Sequence, residues 1–266
     1  MFYRWPTATR LTVCLLALVC ASCGKKYAAI TLAGSTAFQP FAEKLAEEFM
    51  AQRSGVAITV QGGGSAVGIQ SALSGVAQIG MADLVQLPPE AKELTSIVVA
   101  RDGIAIIVNP ANPIKDLSTV QVREIFEGKI GNWKDVGGTD KLITVVSREA
   151  GSGTRMSFEQ LIGGIQLTRN AIIQDSSGTI RETVANDANA IGYLTHGVIS
   201  QKVKPVTVDG VECTTAVIMA SQYKLVRPVF FLTKGPATGA AKEFIDYVLS
   251  PEGQEIIKKN GLIPAQ

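Results

Sequence analysis

The chain has 266 residues, of which 46% are apolar and 18% charged, and this composition argues against a disordered or fibrous protein. That length is sufficient for one large domain or two modest ones, each with a hydrophobic core. The formal net charge is only +2, so no nucleic-acid partner is expected, and an anion would have to be bound by local geometry.

The first segment of the chain has the pattern of a secretory signal. Residues 1–10 contain two arginines and no acidic residue, and the apolar run 11–20 is followed by the small residues Ala21 and Ser22. The run is too short to span a bilayer comfortably. We therefore expect residues 1–22 to be a signal peptide and the mature protein to be exported.

The residues at the expected cleavage site resemble a bacterial lipobox. In Ala21-Ser22-Cys23-Gly24, a diacylglycerol would be attached to Cys23, although Cys20 stands where such boxes usually have leucine. The resemblance implies a lipoprotein in the periplasm or at the cell surface, because no later segment is apolar for long enough to span a membrane. Ordinary cleavage that releases a free chain is the alternative.

Short apolar runs alternate with segments of helical periodicity along the rest of the chain. The predicted strands cover 28–32, 57–61, 97–100, 104–109, 142–147, 190–194 and 227–233. The predicted helices cover 40–53, 68–74, 154–162, 236–249 and 251–260. This alternation predicts an α/β fold with a largely parallel sheet.

Two breaks divide the predicted elements into two lobes. Prolines interrupt a polar stretch at 109–113, and a second break lies around 220–228. A central block inserted between these breaks predicts lobe I from residues 23–108 plus 227–266 and lobe II from residues 109–226. Two crossing segments would then join the lobes and leave a cleft between them.

Glycine-rich segments with hydroxyl side chains follow several of the predicted strands. Such segments occur at 34–36, 62–65 and 151–154, with a further candidate at 176–179, and each leads into a helix. Each places backbone N–H groups, the positive end of a helix dipole and a hydroxyl donor at one point. A single segment of this kind is an ordinary helix cap. Several of them at the carboxyl ends of strands favour a shared site for a compact anion.

Asp83 follows the apolar run 76–79 and narrows the choice of anion. A carboxylate can only accept hydrogen bonds, so it favours an oxyanion that still carries a proton, as phosphate does near neutral pH. Sulfate would leave two acceptors facing each other in a dry site, which costs several kcal/mol. A helix cap or a surface turn is the alternative role for Asp83.

These segments together resemble the ligand loops of the periplasmic phosphate-binding proteins of ABC transporters. The matching stretches are 34–40, 62–65, 82–83, 151–154 with Arg148 before them, 189–193 and 227–228. The resemblance implies a type II periplasmic-binding fold, in which each lobe is a mixed, mainly parallel sheet flanked by helices and the ligand lies in the cleft. It also implies a monomeric lipoprotein that captures inorganic phosphate and delivers it to an ABC transporter permease.

The resemblance further implies which residues bind the ligand. From lobe I these are Ser35, Thr36, Ala37, Ser65 and Asp83. From lobe II these are Arg148, Ser152, Gly153 and Thr154. Asp83 would accept the ligand proton, Arg148 would supply positive charge, and the others would donate hydrogen bonds.

One position departs from the family pattern. Some members carry an aspartate two residues after the arginine, where it pairs with that arginine, whereas this chain has Ala150. Glu149 is adjacent, so the resemblance leaves the orientation of Arg148 open. Arg155 is expected to face solvent.

The main alternative from another class is an enzyme, and the sequence argues against it. His196 is the only histidine, no nucleophile elbow accompanies it, and it makes no metal cluster with Cys213. No phosphate-binding loop of nucleotide enzymes occurs, and no cofactor or metal is expected. Two other functions stay open, namely a binder of another oxyanion such as sulfate or molybdate, and a component of a phosphate-sensing receptor.

Overall fold

The computed structural model describes residues 28–265, so the predicted signal peptide and Cys23 lie outside the described residues. The strands are β1 Ala28–Gly34, β2 Val56–Gln61, β3 Ile79–Ala82, β4 Thr95–Val108, β5 Asp116–Leu117, β6 Thr144–Arg148, β7 Ile172–Gln174, β8 Ala190–Thr195, β9 Lys204–Pro205, β10 Thr207–Val208, β11 Val226–Thr233 and β12 Ile263–Pro264. The helices are α1 Gln39–Gln52, α2 Ser65–Ser74, α3 Thr119–Phe126, α4 Gly153–Leu161, α5 Ser177–Asn186, α6 Thr215–Met219, α7 Gly239–Leu249 and α8 Pro251–Lys259. Among residues 28–265, no helix has the length and apolar character needed to cross a membrane.

One mixed sheet runs through the molecule. Its main path has the strand order β2-β1-β3-β11-β4-β8-β6-β7. At one end β1 is parallel to β2 and β3, and at the other end β6 is parallel to β7 and β8. Between them, β4 and β11 are antiparallel to their neighbours. The predicted α/β class is confirmed, but the sheet is mixed: its parallel pairs lie at the two ends, and its central strands are antiparallel.

Apolar side chains form a separate core on each side of the central strands. In lobe I, α1 and α7 cover one face of the sheet through residues such as Phe49 and Phe244, and α2 contributes Ile69 to a smaller cluster. In lobe II, the core is built around Trp133 and Phe158. Helix α1 confirms the prediction from helical periodicity, because Phe41, Leu45 and Phe49, which are four residues apart, are all buried.

The central strand β4 corrects the sequence prediction of two separate strands. It runs without interruption for 14 residues through the polar triplet at 101–103. Its first part pairs with β11, and its last residues, Ile104–Val108, pair with β8 and lie in the core of lobe II. The polar residue Asp102 stays in the strand because it is buried against Arg227. The boundaries of the two lobes stay a prediction.

Some elements carried weak sequence signals. Strand β3 has only four residues, all buried, where the sequence indicates no more than an apolar run at 76–79. Helix α3 is also missing from the predicted set, although Ser118 and Gln121 form a capping box at its start. That capping pattern is the sequence signal from which α3 could have been predicted.

Candidate functional site

The glycine-rich segments of the two lobes meet at the carboxyl ends of β1, β2, β3 and β6. The backbone N–H of Ala66 in lobe I donates to the carbonyl of Gly151 in lobe II at 3.3 Å. A β-carbon at Gly153 would collide with Ser65 Oγ and with Asp83 Oδ1, so only glycine permits this approach. The predicted site residues of both lobes therefore lie together in one closed interface.

The loop after β1 is held in a fixed turn. Gly34 has a φ of +137°, and a β-carbon there would collide with the carbonyl of Met81. The buried Ser35 uses its Oγ to accept from the N–H of Phe38 at 3.0 Å, so this hydroxyl shapes the loop. Thr36 lies at the interface and Ala37 is buried beside it.

Asp83 is the carboxylate of the site. It is 2% exposed, and its Oδ1 accepts from Ser65 Oγ at 2.5 Å. Its Oδ2 accepts from Thr154 Oγ1 of lobe II at 3.3 Å. The predicted partners Ser65 and Thr154 are thus brought together with Asp83, and both of their hydroxyls point at its carboxylate.

Arg148, at the end of β6, supplies the positive charge. It is 1% exposed, and its Nη2 donates across the interface to Thr36 Oγ1 at 2.8 Å and to the carbonyl of Asp175 at 3.0 Å. Its Nη1 is buried and has no hydrogen-bond partner among residues 28–265. A buried cationic donor without a partner is costly, so Nη1 is available to bind an acceptor.

Glu149 resolves the question raised by Ala150. Both of its carboxylate oxygens accept from Arg148, with Nε–Oε2 and Nη2–Oε1 distances of 2.9 Å. This fork fixes the orientation of the guanidinium, and Nη1 is left without an acceptor among the described residues. The adjacent glutamate therefore orients Arg148 without an aspartate at position 150.

Helix α4 presents its N-terminus to the same place. Ser152 caps it by accepting from the N–H of Arg155 at 3.2 Å. The first N–H groups of a helix, here those of Gly153 and Thr154, have no partner within the helix and carry its positive dipole end. Arg155 differs from expectation, since its side chain is only 22% exposed and pairs with Glu159 at 2.7 Å.

An aromatic group supports the strand that carries Arg148. Tyr193 stacks on Phe158 of α4 with 4.1 Å between ring centroids, and its hydroxyl lies 2.8 Å from Ser147 Oγ. Burial raises the pKa of Tyr193 to about 12, so this phenol stays neutral. Tyr193 therefore fixes the position of β6 relative to α4 through packing and neutral hydrogen bonds.

Arg227 is a member of the site that sequence reasoning did not identify as one. It is buried, and its Nη2 lies 2.6 Å from Asp83 Oδ2 and 2.8 Å from Asp102 Oδ2. Thr195 of lobe II donates to the same Asp102 oxygen at 3.1 Å. A lone arginine inside the apolar strand β11 was the available signal, because a buried charge needs a partner.

The remaining candidates lie outside the interface or at its edge. The segment at 176–179 caps α5 through Ser176, and the hydroxyl of Ser177 is buried with no partner among residues 28–265. His196 Nδ1 lies 2.9 Å from the carbonyl of Gly261, and Cys213 is buried as a free thiol. No group of metal-ligating side chains occurs within the described part of the chain.

Comparison with known proteins places this geometry in context. The PBP superfamily domain profile matches residues 21–252. The phosphate-binding protein PstS of Bacillus subtilis (strain 168) is 38% identical over 245 residues, which cover 90% of this chain and 82% of that relative. A Clostridium perfringens protein described as a phosphate ABC transporter substrate-binding protein, solved with bound phosphate, is 41% identical with a TM-score of 0.86, covering 90% of this chain and all of that one. An ABC-type phosphate transport receptor from Vibrio cholerae is 35% identical with a TM-score of 0.76, covering 88% of this chain and 99% of that one.

Proposed function

The chain belongs to the PBP superfamily and, within it, to the phosphate-binding PstS proteins, and from this membership we propose that it captures inorganic phosphate between its two lobes and delivers it to an ABC transporter. The observation that carries the proposal is the buried, unpartnered Nη1 of Arg148 at the meeting point of the lobes. It is a charged donor, of the kind that binds oxyanions most strongly.

The donors proposed to surround the anion come from both lobes. Besides Arg148 Nη1, they are the N–H groups of Gly153 and Thr154 at the start of α4, the hydroxyl of Thr36, and the backbone N–H of Ala37, while the Thr154 hydroxyl donates to Asp83. We retain Ser35, Ser65 and Ser152 in the proposed site, with Ser35 and Ser152 supporting the loops and Ser65 supporting Asp83. Because donors of both lobes are needed, the ligand would stabilise the closed arrangement.

Asp83 makes phosphate the preferred oxyanion. Its Oδ1 and Oδ2 already accept from Ser65, Thr154 and Arg227, so the carboxylate is held as an acceptor. An oxyanion that carries a proton can donate to it, whereas sulfate presents only acceptors. The alternative of a sulfate or molybdate binder is therefore disfavoured by the hydrogen-bonding capacity of the site.

Calorimetry on the mature chain tests the proposed ligand. The protein is produced from residue 24 onward, unfolded and refolded to remove bound anions, and titrated separately with phosphate, sulfate and molybdate. We expect one phosphate to bind per chain and the other two anions to give no comparable heat. Tight binding of sulfate or molybdate, or binding of none of the three, would refute the assignment.

Delivery to a permease is the part of the proposal that depends on a partner. Cross-linking of the membrane-anchored protein in its own cells, followed by purification, is expected to recover transporter permease subunits in the presence of phosphate. Recovery of a sensor protein instead would favour the alternative of a phosphate-sensing receptor component.

The membrane anchor is proposed to be a lipid on Cys23, which holds the protein in the periplasm or at the cell surface. Replacing Cys23 by serine is expected to abolish labelling by a radioactive fatty acid and to release the chain from the membrane fraction. The wild-type protein is the control. Equal labelling of both proteins would show that another residue carries the lipid or that Cys23 is not processed.

A further inference from the structure

Three buried charged side chains lie side by side where β3, β4 and β11 adjoin. Arg227 on β11 and Asp102 on β4 are cross-strand partners, and Asp83 follows the end of β3. Arg227 Nη2 contacts one oxygen of each carboxylate, at 2.6 Å for Asp83 and 2.8 Å for Asp102. Arg227 Nη1 also donates to the backbone carbonyl of Asp83 at 3.2 Å. One buried guanidinium therefore contacts two buried carboxylates.

The two carboxylates are not supplied equally with hydrogen bonds. Asp83 accepts from hydroxyls of both lobes, Ser65 and Thr154, in addition to the guanidinium. Asp102 receives Thr195 and Arg227 on Oδ2, whereas its Oδ1 is buried with no partner among the described residues. Asp83 is thus the more fully hydrogen-bonded carboxylate of the two.

The protonation behaviour of Asp102 agrees with this inequality. Burial raises the pKa of the Asp102 carboxyl, while Arg227 and Thr195 act in the opposite direction and the neighbouring charge of Asp83 adds to the increase. A raised pKa means that folding favours the neutral form of Asp102. The positive charge of Arg227 is then left mainly for Asp83.

We propose that Arg227 is a positioning residue that holds the Asp83 carboxylate in place as an acceptor and thereby sets the preference for an oxyanion that carries a proton. The proposal rests on the proposed function, since it explains a selectivity that only an oxyanion receptor would have. Without Arg227, the buried Asp83 would lose its contacts at Oδ2 and at its backbone carbonyl, and the carboxylate could turn away from the ligand. Phosphate would then lose the acceptor for its proton, whereas sulfate would no longer face a fixed acceptor.

The charged and hydroxyl groups around Asp83 define the variants to test. The charged groups that face it among residues 28–265 are Arg227 and Asp102, and the hydroxyls are those of Ser65, Thr154 and, at its backbone carbonyl, Ser157. Removing Arg227 alone would leave two uncompensated buried carboxylates and endanger folding. The informative variant is therefore Arg227→Gln combined with Asp102→Asn, compared with Asp102→Asn alone.

The measurement is the ratio of the sulfate Kd to the phosphate Kd, taken by calorimetry at about pH 7. We expect the ratio in the double variant to fall by about tenfold or more relative to Asp102→Asn. A purely structural defect would weaken both anions alike and leave the ratio unchanged. The matched control is Arg101→Gln. Arg101 is an exposed arginine on β4, next to Asp102, and the ratio for this variant should equal that of the wild type.

Arg227→Lys decides the question if the double variant does not fold. A single ammonium cannot reproduce the contacts of the planar fork with both carboxylates, so the ratio should fall to an intermediate value, by about threefold or more. An unchanged ratio in the folded variants overturns the proposal. If the wild type itself binds no phosphate, the proposed function is refuted instead, so the two failures are distinguishable.

Discussion

Replacing Arg148 by methionine is expected to weaken phosphate binding by about two to three orders of magnitude. Arg148 Nη1 is a buried cationic donor without a partner among residues 28–265, and the same guanidinium donates to Thr36 across the interface. Truncating one partner of a buried, hydrogen-bonded charge pair costs about 2–5 kcal/mol, and each 1.4 kcal/mol is about tenfold in Kd. Calorimetric titration of phosphate into the stripped variant measures the loss.

The fold should tolerate this change. Methionine retains much of the apolar stem, and the Glu149 carboxylate that loses its partner is 33% exposed, so water can solvate it. Arg155→Met is the matched control, because this neighbouring arginine donates to protein acceptors, Glu159 at 2.7 Å and the backbone carbonyl of Arg148 at 2.9 Å. We expect Arg155→Met to bind phosphate within about threefold of the wild type. A folded Arg148→Met protein with a wild-type Kd would contradict the assigned role of Arg148.

Asp83→Asn is expected to reduce the preference for phosphate over sulfate by about one to two orders of magnitude. The asparagine amide has an NH₂ group that can donate to a fully deprotonated anion, so the clash between two acceptors is removed. Relief of such an unsatisfied contact corresponds to about 1–3 kcal/mol. Phosphate itself should bind more weakly, since the acceptor for its proton has lost its charge. Competition titrations with both anions measure the preference.

The same substitution should not disrupt the interior. With Asp83 neutral, Arg227 keeps one ionisable partner, Asp102, at 2.8 Å, in place of two carboxylates that share one guanidinium. Thermal unfolding without ligand is therefore expected to show little loss of stability, which separates a change in selectivity from a folding defect. An Asp83→Asn variant that still excludes sulfate as strictly as the wild type does would show that Asp83 is not the selectivity element.

Local patterns explain why the ligand loops could be predicted. A segment of glycine and hydroxyl residues between a strand and a helix can be recognised from a few consecutive residues. The caps at Ser152 and Ser176 have that form in the structure. The carboxyl ends of strands in an α/β sheet then indicate where such segments converge. The meeting of Thr36, Asp83 and Thr154 at one interface follows from these two facts.

The orientation of Arg148 could not be predicted in the same way. Successive side chains of a strand point to opposite faces, so Glu149 would be expected to point away from Arg148. Strand β6 ends at Arg148, and the alternation ends with it. The chain turns there, and the glutamate folds back onto the guanidinium at 2.9 Å.

Arg227 illustrates a different limit of sequence reasoning. Its two carboxylate partners lie 144 and 125 positions away in the chain, so no periodicity or local motif connects them. The uninterrupted course of β4 through Asp102 also depends on a distant residue, because a buried polar side chain needs a partner and Arg227 provides it. Contacts between distant segments decide both features, and they become visible only in the folded chain.

A crystal structure of the protein grown with phosphate tests the central claim most directly. We predict a tetrahedral anion between the lobes with one oxygen about 2.7–2.9 Å from Arg148 Nη1 and another within hydrogen-bonding distance of Asp83. Further oxygens should face the N–H groups at the start of α4. An anion bound elsewhere, or an Arg148 Nη1 that is occupied by a protein acceptor while phosphate is bound, would contradict the account.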